Sequence, residues 1–449
     1  LVVAVKNLTP ALDYDIDYIQ GRIILTEPLS ASAADSMLIN SGGASGGQVY
    51  LVTRYEFTPG FDDIDTLALG GRTHYWFGDS LKLGLTASQG EEAGEKKSLN
   101  GADVTWRKSV NTWVKVETSQ TTGGGVDSFG SIDGGYSFGT ASPVISNDAD
   151  AGAYRVDTSL ALNELHEKLQ GKATLYQQEV DAGFSAPGLI TDRDTTNVGA
   201  TLEMPVTDRI SLRAKTDKAL KDQGLETIAN ELNVHYLLSD QWTLSGAVRQ
   251  DQRTDHNPVP LATQEEGERT DLQLQAAYDS KADWSSYGFV QGTAKSTGNR
   301  DNNSRIGAGG QYRVSERFKV NGELSGGELG SAAKLGTEYL YSDRTNLYTN
   351  YALENERTDN GVRARKGNLT SGFRTHYSDS ASVYMEERYS HGDVPTGLTH
   401  SAGVDLAPND RWNYGANIDY GSLKDPQTAA TTERTAFGAR VGYSFEKLL

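Results

Sequence analysis

The stretch Trp412-Asn413-Tyr414-Gly415-Ala416-Asn417-Ile418-Asp419-Tyr420 puts an apolar residue at every second position. After a polar loop, Phe437-Gly438-Ala439-Arg440-Val441-Gly442-Tyr443-Ser444-Phe445 does the same. A period of two with one apolar and one polar side is a β-strand with a different medium on each face. Working back along the chain, the alternation returns in Leu398/Ala402/Val404/Leu406, Ile306/Ala308/Tyr312/Val314, Leu272/Leu274/Ala276/Tyr278, Val198/Ala200/Leu202/Met204 and Tyr154/Val156/Leu160/Leu162. Ten short polar phrases interrupt it: Gly78-Asp79, Ser109-Val110-Asn111, Asn163-Glu164, Thr207-Asp208, Ser239-Asp240, Ala282-Asp283, Ser315-Glu316, Ser342-Asp343, Ser378-Asp379 and Asn409-Asp410. Most lie about 27 to 43 residues apart, the length of a hairpin with two strands of ~10 residues and one longer loop. A soluble sandwich also alternates, but it does not sustain strands of this length with long acidic loops on one side.

The sequence therefore predicts an all-β chain: a transmembrane antiparallel up-and-down β-barrel with short periplasmic turns and long extracellular loops. Ten turns join ten strand pairs, and one strand remains at each end, so about 22 strands are expected, with 20 to 24 open. The first is read as Gln48–Thr58 and the last as Thr435–Phe445; Ile132 to Phe138 is read as loop. The boundary falls after residue 47, with the barrel over 48–449.

Composition is consistent with this. Hydrophobic residues make up 37% of the 449, mean hydropathy is -0.53, and no apolar run is long enough for a transmembrane helix. A barrel tolerates low hydrophobicity because only alternate residues meet lipid. The 49 Gly suit close strand packing and the 22 Tyr suit interfacial girdles. A net charge of -18 argues against a nucleic-acid partner. The absence of Cys is compatible with an oxidising periplasm and excludes thiolate metal sites, cysteine nucleophiles and c-type haem in this chain. Starting at Leu1 without a signal peptide, the chain is expected to be mature or the tail of something longer.

The alternating aromatics Phe437, Tyr443 and Phe445 resemble the C-terminal β-signal read by the barrel-assembly machinery, although Glu446-Lys447-Leu448-Leu449 follow. That resemblance implies outer-membrane localisation, with lipopolysaccharide and the assembly machinery as partners. Residues 1–47 depart from the barrel pattern: Asp15 to Leu25 reads as a hairpin turning at Gln20-Gly21, and Ser30 to Gly47 as a Gly-rich connector. Asp13-Tyr14-Asp15-Ile16-Asp17-Tyr18, Gly21-Arg22-Ile23 and Pro28-Leu29 resemble a phrase of very large multidomain bacterial surface proteins, among them the giant translocon of the gliding-associated secretion system. This implies a periplasmic hairpin ahead of the barrel, the end of a larger periplasmic region, and a periplasmic or surface protein partner. The alternative is a plain edge hairpin under the barrel.

The function expected of such a barrel is a pore or translocation channel. The competing reading is a structural anchor or sheath that holds upstream domains or a partner protein. The reading expects no independent plug domain and finds no obvious TonB box. The constriction candidate is the loop Gln120 to Gly152, with aromatics Phe129, Tyr136 and Phe138 and carboxylates Asp127, Asp133, Asp148 and Asp150. Gly there allows the backbone to fold inward, and the carboxylates would form a cation-attracting rim facing Lys115 and Arg155. A second loop, Ala182 to Thr195, carries the apolar Gly183-Phe184-Ser185-Ala186-Pro187-Gly188 and could also turn inward. Arg155, Arg213, Lys215, Arg249, Arg313, Lys319, Glu323 and Arg440 are assigned to the lumen face. The His residues lack metal-ligand spacing. Asp192-Arg193-Asp194 and Asp301-Asn302-Asn303 offer oxygen ligands but lack the Gly and distal Glu of an EF-hand loop. No catalytic set, metal or cofactor is predicted.

Overall fold

A computed structural model describes residues 14–17, 22–25, 69–92, 95–123, 128–130, 139–141, 150–186, 189–190, 193–258, 266–328, 330–357, 363–393, 395–426 and 428–443. Twenty-one described strands follow one another in sequence order around a closed barrel, from Leu69–Phe77 to Thr431–Tyr443. Every strand pairing with a defined register in it is antiparallel, as in Trp412–Lys424 against Thr431–Tyr443 (Trp412↔Tyr443). Twenty-one alternating strands bring the first and last into the same direction where they meet. The expected first strand, Gln48–Thr58, lies outside the described residues, and the last begins at Thr431 rather than Thr435.

Nine of the ten polar phrases fall on tight connections; Asn163-Glu164 instead lies in a short 3-10 helix, Leu162–Glu164, within the longer connection 162–171. In seven of the nine a leading Ser, Thr or Asn oxygen caps the turn, which explains why the phrase recurs. Ser239 Oγ accepts from the Gln241 and Trp242 N–H groups at 3.3 and 3.1 Å. Thr207 Oγ1 accepts from Arg209 and Ile210 at 3.2 and 3.0 Å. Asn409 Oδ1 accepts from Arg411 and Trp412, both at 3.0 Å. Such short side chains mimic a backbone turn and so fix a hairpin locally.

The longest connections, 123–150 and 181–194, are at the opposite end, where 222–224 nevertheless joins its strands almost as tightly as the turns do. At 222–224, Gln223 takes a left-handed φ of 47° ahead of Gly224, which closes the hairpin in three residues.

Which face is wet is settled by burial. Gln273, Thr121, Asp271 and Ser159 are the largest fully buried side chains, whereas Leu274, Ile306, Leu324, Phe437 and Val441 are each at least 65% exposed. A polar interior under an apolar exterior reverses the arrangement of a soluble protein and is that of a barrel in lipid. Outward aromatics collect at the turn end, where the Tyr278 ring packs at a tilt against Trp242 and Trp284 (5.0 and 4.8 Å) and Trp412 against Tyr443 (4.6 Å). This is an interfacial girdle. Residues 14–25 contain a short hairpin, Tyr14–Asp17 with Arg22–Leu25, and Tyr14–Asp17 lies against Leu189–Ile190.

Candidate functional site

The lumen wall is built by strand alternation. A base and an acid two residues apart on one strand point to the same face and meet. Lys115 pairs with Glu117 (2.5 Å), Arg155 with Asp157 (2.8 Å), Lys215 with Asp217 (3.0 Å) and Arg269 with Asp271 (2.8 Å). Others bridge strands: Arg213 to Glu203 (2.8 Å), Arg440 to Asp405 (2.9 Å) and Arg72 to Asp103 (2.5 Å). Asp103 is 2% exposed at its side chain and also lies 3.9 Å from Lys82. It can enter there because Gly84, directly opposite, has no Cβ; one would meet Asp103 Oδ1 at 2.1 Å. Arg107 lies over the Trp76 ring at 4.5 Å on the same face.

Two connections from the loop end fold onto this wall. In 181–194, Gly183 takes φ 89° and turns Phe184 inward. Phe184 is 5% exposed and packs with Leu99, Ala151 and Val180. The register places these three on the lumen face, alongside Asp103, Arg155 and Gln178. Asp181 and Asp194 fasten the loop by accepting from the N–H groups of Gly152 (3.0 Å) and Ala182 (2.7 Å).

The second connection, 297–304, inserts Arg300 beside Asp251, with only 2% of its side chain exposed. Asp251 also lies 4.0 Å from Arg269. The Arg269 Nη1–H donates to the Asp301 carbonyl (3.3 Å), the Gln291 amide to the Asn303 carbonyl (3.0 Å), and the Asn303 N–H to Thr293 Oγ1 (2.7 Å). Burial, with Arg253 and Arg269 close by, pulls the Arg300 guanidinium down to about 10. The main-chain carbonyls of Asp301 and Asn303 thus serve as structural acceptors. No group of three His, Asp or Glu side chains suited to a metal occurs among the described residues.

We predict that Arg300→Met loosens 297–304 at a cost of about 2–4 kcal/mol, because Asp251 keeps only its longer contact to Arg269. Protease cleavage within 297–304 should rise in the variant while the barrel stays folded. Acid should act in the same direction. The Ser304 N–H donated to Glu328 Oε2 (2.9 Å) holds that carboxyl below its ordinary 4.5. Its stabilisation is complete above 4.5 and is lost as pH falls through the lower folded value.

Of the constriction candidates, Asp127, Asp133, Tyr136, Phe138 and Asp148 lie outside the described residues. Phe129 is in a short strand, Ser128–Gly130, paired with Gly139–Ala141, and Asp150 is exposed. Lys115 and Arg155 take partners from the wall itself, and Arg313 faces the lumen opposite Lys319. Phe437 and Tyr443 point outward, 78% and 38% exposed, and Phe445 lies outside the described residues. The alternation read from the sequence assigns Glu323 to the lumen face but leaves Glu117, Asp157, Asp217 and Asp271 out of the site; a Lys-x-Glu, Arg-x-Asp or Lys-x-Asp spacing within an alternating strand is the signal that marks these.

No family model and no curated protein matches the chain. Among solved structures it is similar to the copper transporter OprC, at 12% identity over 85% of this chain and 79% of that one, with a TM-score of 0.50. It is also similar to a point mutant of the ferric enterobactin receptor PfeA from Pseudomonas aeruginosa, at 10% identity over 82% and 73%, again with a TM-score of 0.50. The chain has the fold of an outer-membrane β-barrel. At such low identity the likeness is one of fold.

Proposed function

We propose that the barrel is a transport channel of a Gram-negative outer membrane, with its lumen narrowed by connections folded in from the loop end. The carrying observation is the wall: ionised pairs from Arg72–Asp103 around to Arg440–Asp405 line a continuous polar face, which suits water and charged cargo. Phe184 and Arg300 supply inward loops, and 120–152, with its aromatics and carboxylates, is assigned the same role. OprC and PfeA, a transporter and a receptor by name, are in keeping with transport, and neither defines this cargo. The lipopolysaccharide leaflet surrounds the barrel, and Phe437, Tyr443 and Phe445 serve the assembly machinery. No catalytic role is assigned.

Planar-bilayer recording on the purified protein tests this reading. Discrete conductance should appear and should increase when 120–152 is shortened; a silent bilayer in both cases would overturn it. One observation favours the second reading, a filled anchor or sheath: Tyr14–Asp17 lies against Leu189–Ile190, in the inward connection. If residues 1–47 occupy the lumen, deleting 1–40 should open a channel that is closed in the full chain. If they form a periplasmic hairpin, conductance should be the same with and without them.

A further inference from the structure

Two polar rows cross the outward face at mid-strand: Thr216, Asn230, Gln250 and Thr270 form one of uncharged side chains, and the other contains an ionisable pair where lipid is expected. In this second row, register joins Thr337, Thr349, Ser371, Glu387, His400 and Tyr420 as direct neighbours across six strands. These residues are linked: Thr349 Oγ1 and Ser371 Oγ lie 2.9 Å apart, His400 Nδ1 is 3.2 Å from Glu387 Oε1, and the His400 ring stacks on Tyr420 at 4.6 Å. Apolar residues flank the pair along both strands, with Met385 and Tyr389 around Glu387 and Ala402 and Leu398 around His400. Glu387 is half exposed and His400 about one-fifth.

Position makes the pair anomalous. Other outward carboxylates among the described residues, such as Glu179, Glu226 and Glu268, lie within two residues of the loop end of their strands. Glu387 is six residues beyond Ala381, the first residue of its strand. At ~3.3 Å per residue and a tilt of ~40° it stands roughly 15 Å above the turn-side girdle, within an apolar band about 25 Å tall. An ionisable group at that depth is costly in hydrocarbon and marks a contact with something other than lipid tails.

We propose that this face is a two-fold interface between two copies of the chain. An acid beside a base is self-complementary about a two-fold axis: Glu387 of each copy meets His400 of the other, and the hydroxyl row extends the polar contact. Charge complementarity selects this occupant, because lipid tails offer the pair no partner.

The test is the oligomeric state of the full chain in phospholipid nanodiscs, with heat-modifiable gel mobility reporting barrel folding. The wild-type protein should be dimeric. Glu387→Leu and His400→Leu should each lower the dimer fraction at least tenfold without unfolding the barrel. The exchange Glu387→His with His400→Glu should restore it, since the exchanged pair remains self-complementary. A monomeric wild type that becomes more stable on Glu387→Leu would mark lipid as the occupant and overturn the interface. A dimer indifferent to both single substitutions, or a folded exchange variant that stays monomeric, would overturn it equally.

Discussion

Ala416→Arg is expected to cost about 2–4 kcal/mol in folding into lipid vesicles, whereas Asn417→Arg should cost less than about 1 kcal/mol. The two residues are adjacent on strand Trp412–Lys424 and both exposed, so length, depth and strand propensity are matched. They differ in medium. Ala416 pairs with Val404 and Ala439 on the outer face, and a guanidinium there meets hydrocarbon. Asn417 pairs with Gly403 and Gly438 on the lumen face and donates to Asp419 (3.1 Å), so an added cation gains a carboxylate and room to extend. Equal costs at both positions would mean that the two faces are not lipid and water. A reversed order would turn the barrel inside out.

That register was legible because everything fixing it is local. Alternation at Trp412–Tyr420 sets which side chains share a face, and a Ser, Thr or Asn capping its own turn sets where the chain reverses; neither depends on distant contacts. The lumen bases were legible for the same reason, Arg440 and Arg155 occupying the polar phase of strong alternations. Their partners at Asp405 and Asp157 carry the same signal, obscured by the abundance of carboxylates elsewhere in a chain of net charge -18. The inward connections are a different matter. Ser185–Ala186 approaches the strand Trp113–Thr122, and Phe184 reaches Leu99, more than eighty positions earlier in the chain. Only barrel closure brings those residues together, so Gly183-Phe184 could suggest an inward turn but not its destination. A short connection such as 222–224 rests on a left-handed Gln223, a conformation that this residue type does not announce even with Gly224 after it.

Removing that inward connection should have the largest functional effect. If residues 183–193 are replaced by a three-residue turn like 222–224, single-channel conductance should increase several-fold, because Phe184 and the residues around it leave the lumen. The wall should survive, since Val180 pairs with Ala153 and Thr195 independently of the loop. Phe184→Asp is the sharper variant. It places a carboxylate among Leu99, Ala151 and Val180, where desolvation disfavours it by several kcal/mol and expels the loop rather than unfolding strands with intact ladders. Phe184→Leu keeps an apolar anchor of reduced size and should leave conductance near that of the parent. Conductance that rises in the deletion and in Phe184→Asp but not in Phe184→Leu would identify apolar anchoring as what narrows the channel. An unchanged conductance after deletion would place the narrowest point elsewhere, with 120–152 the next segment to remove.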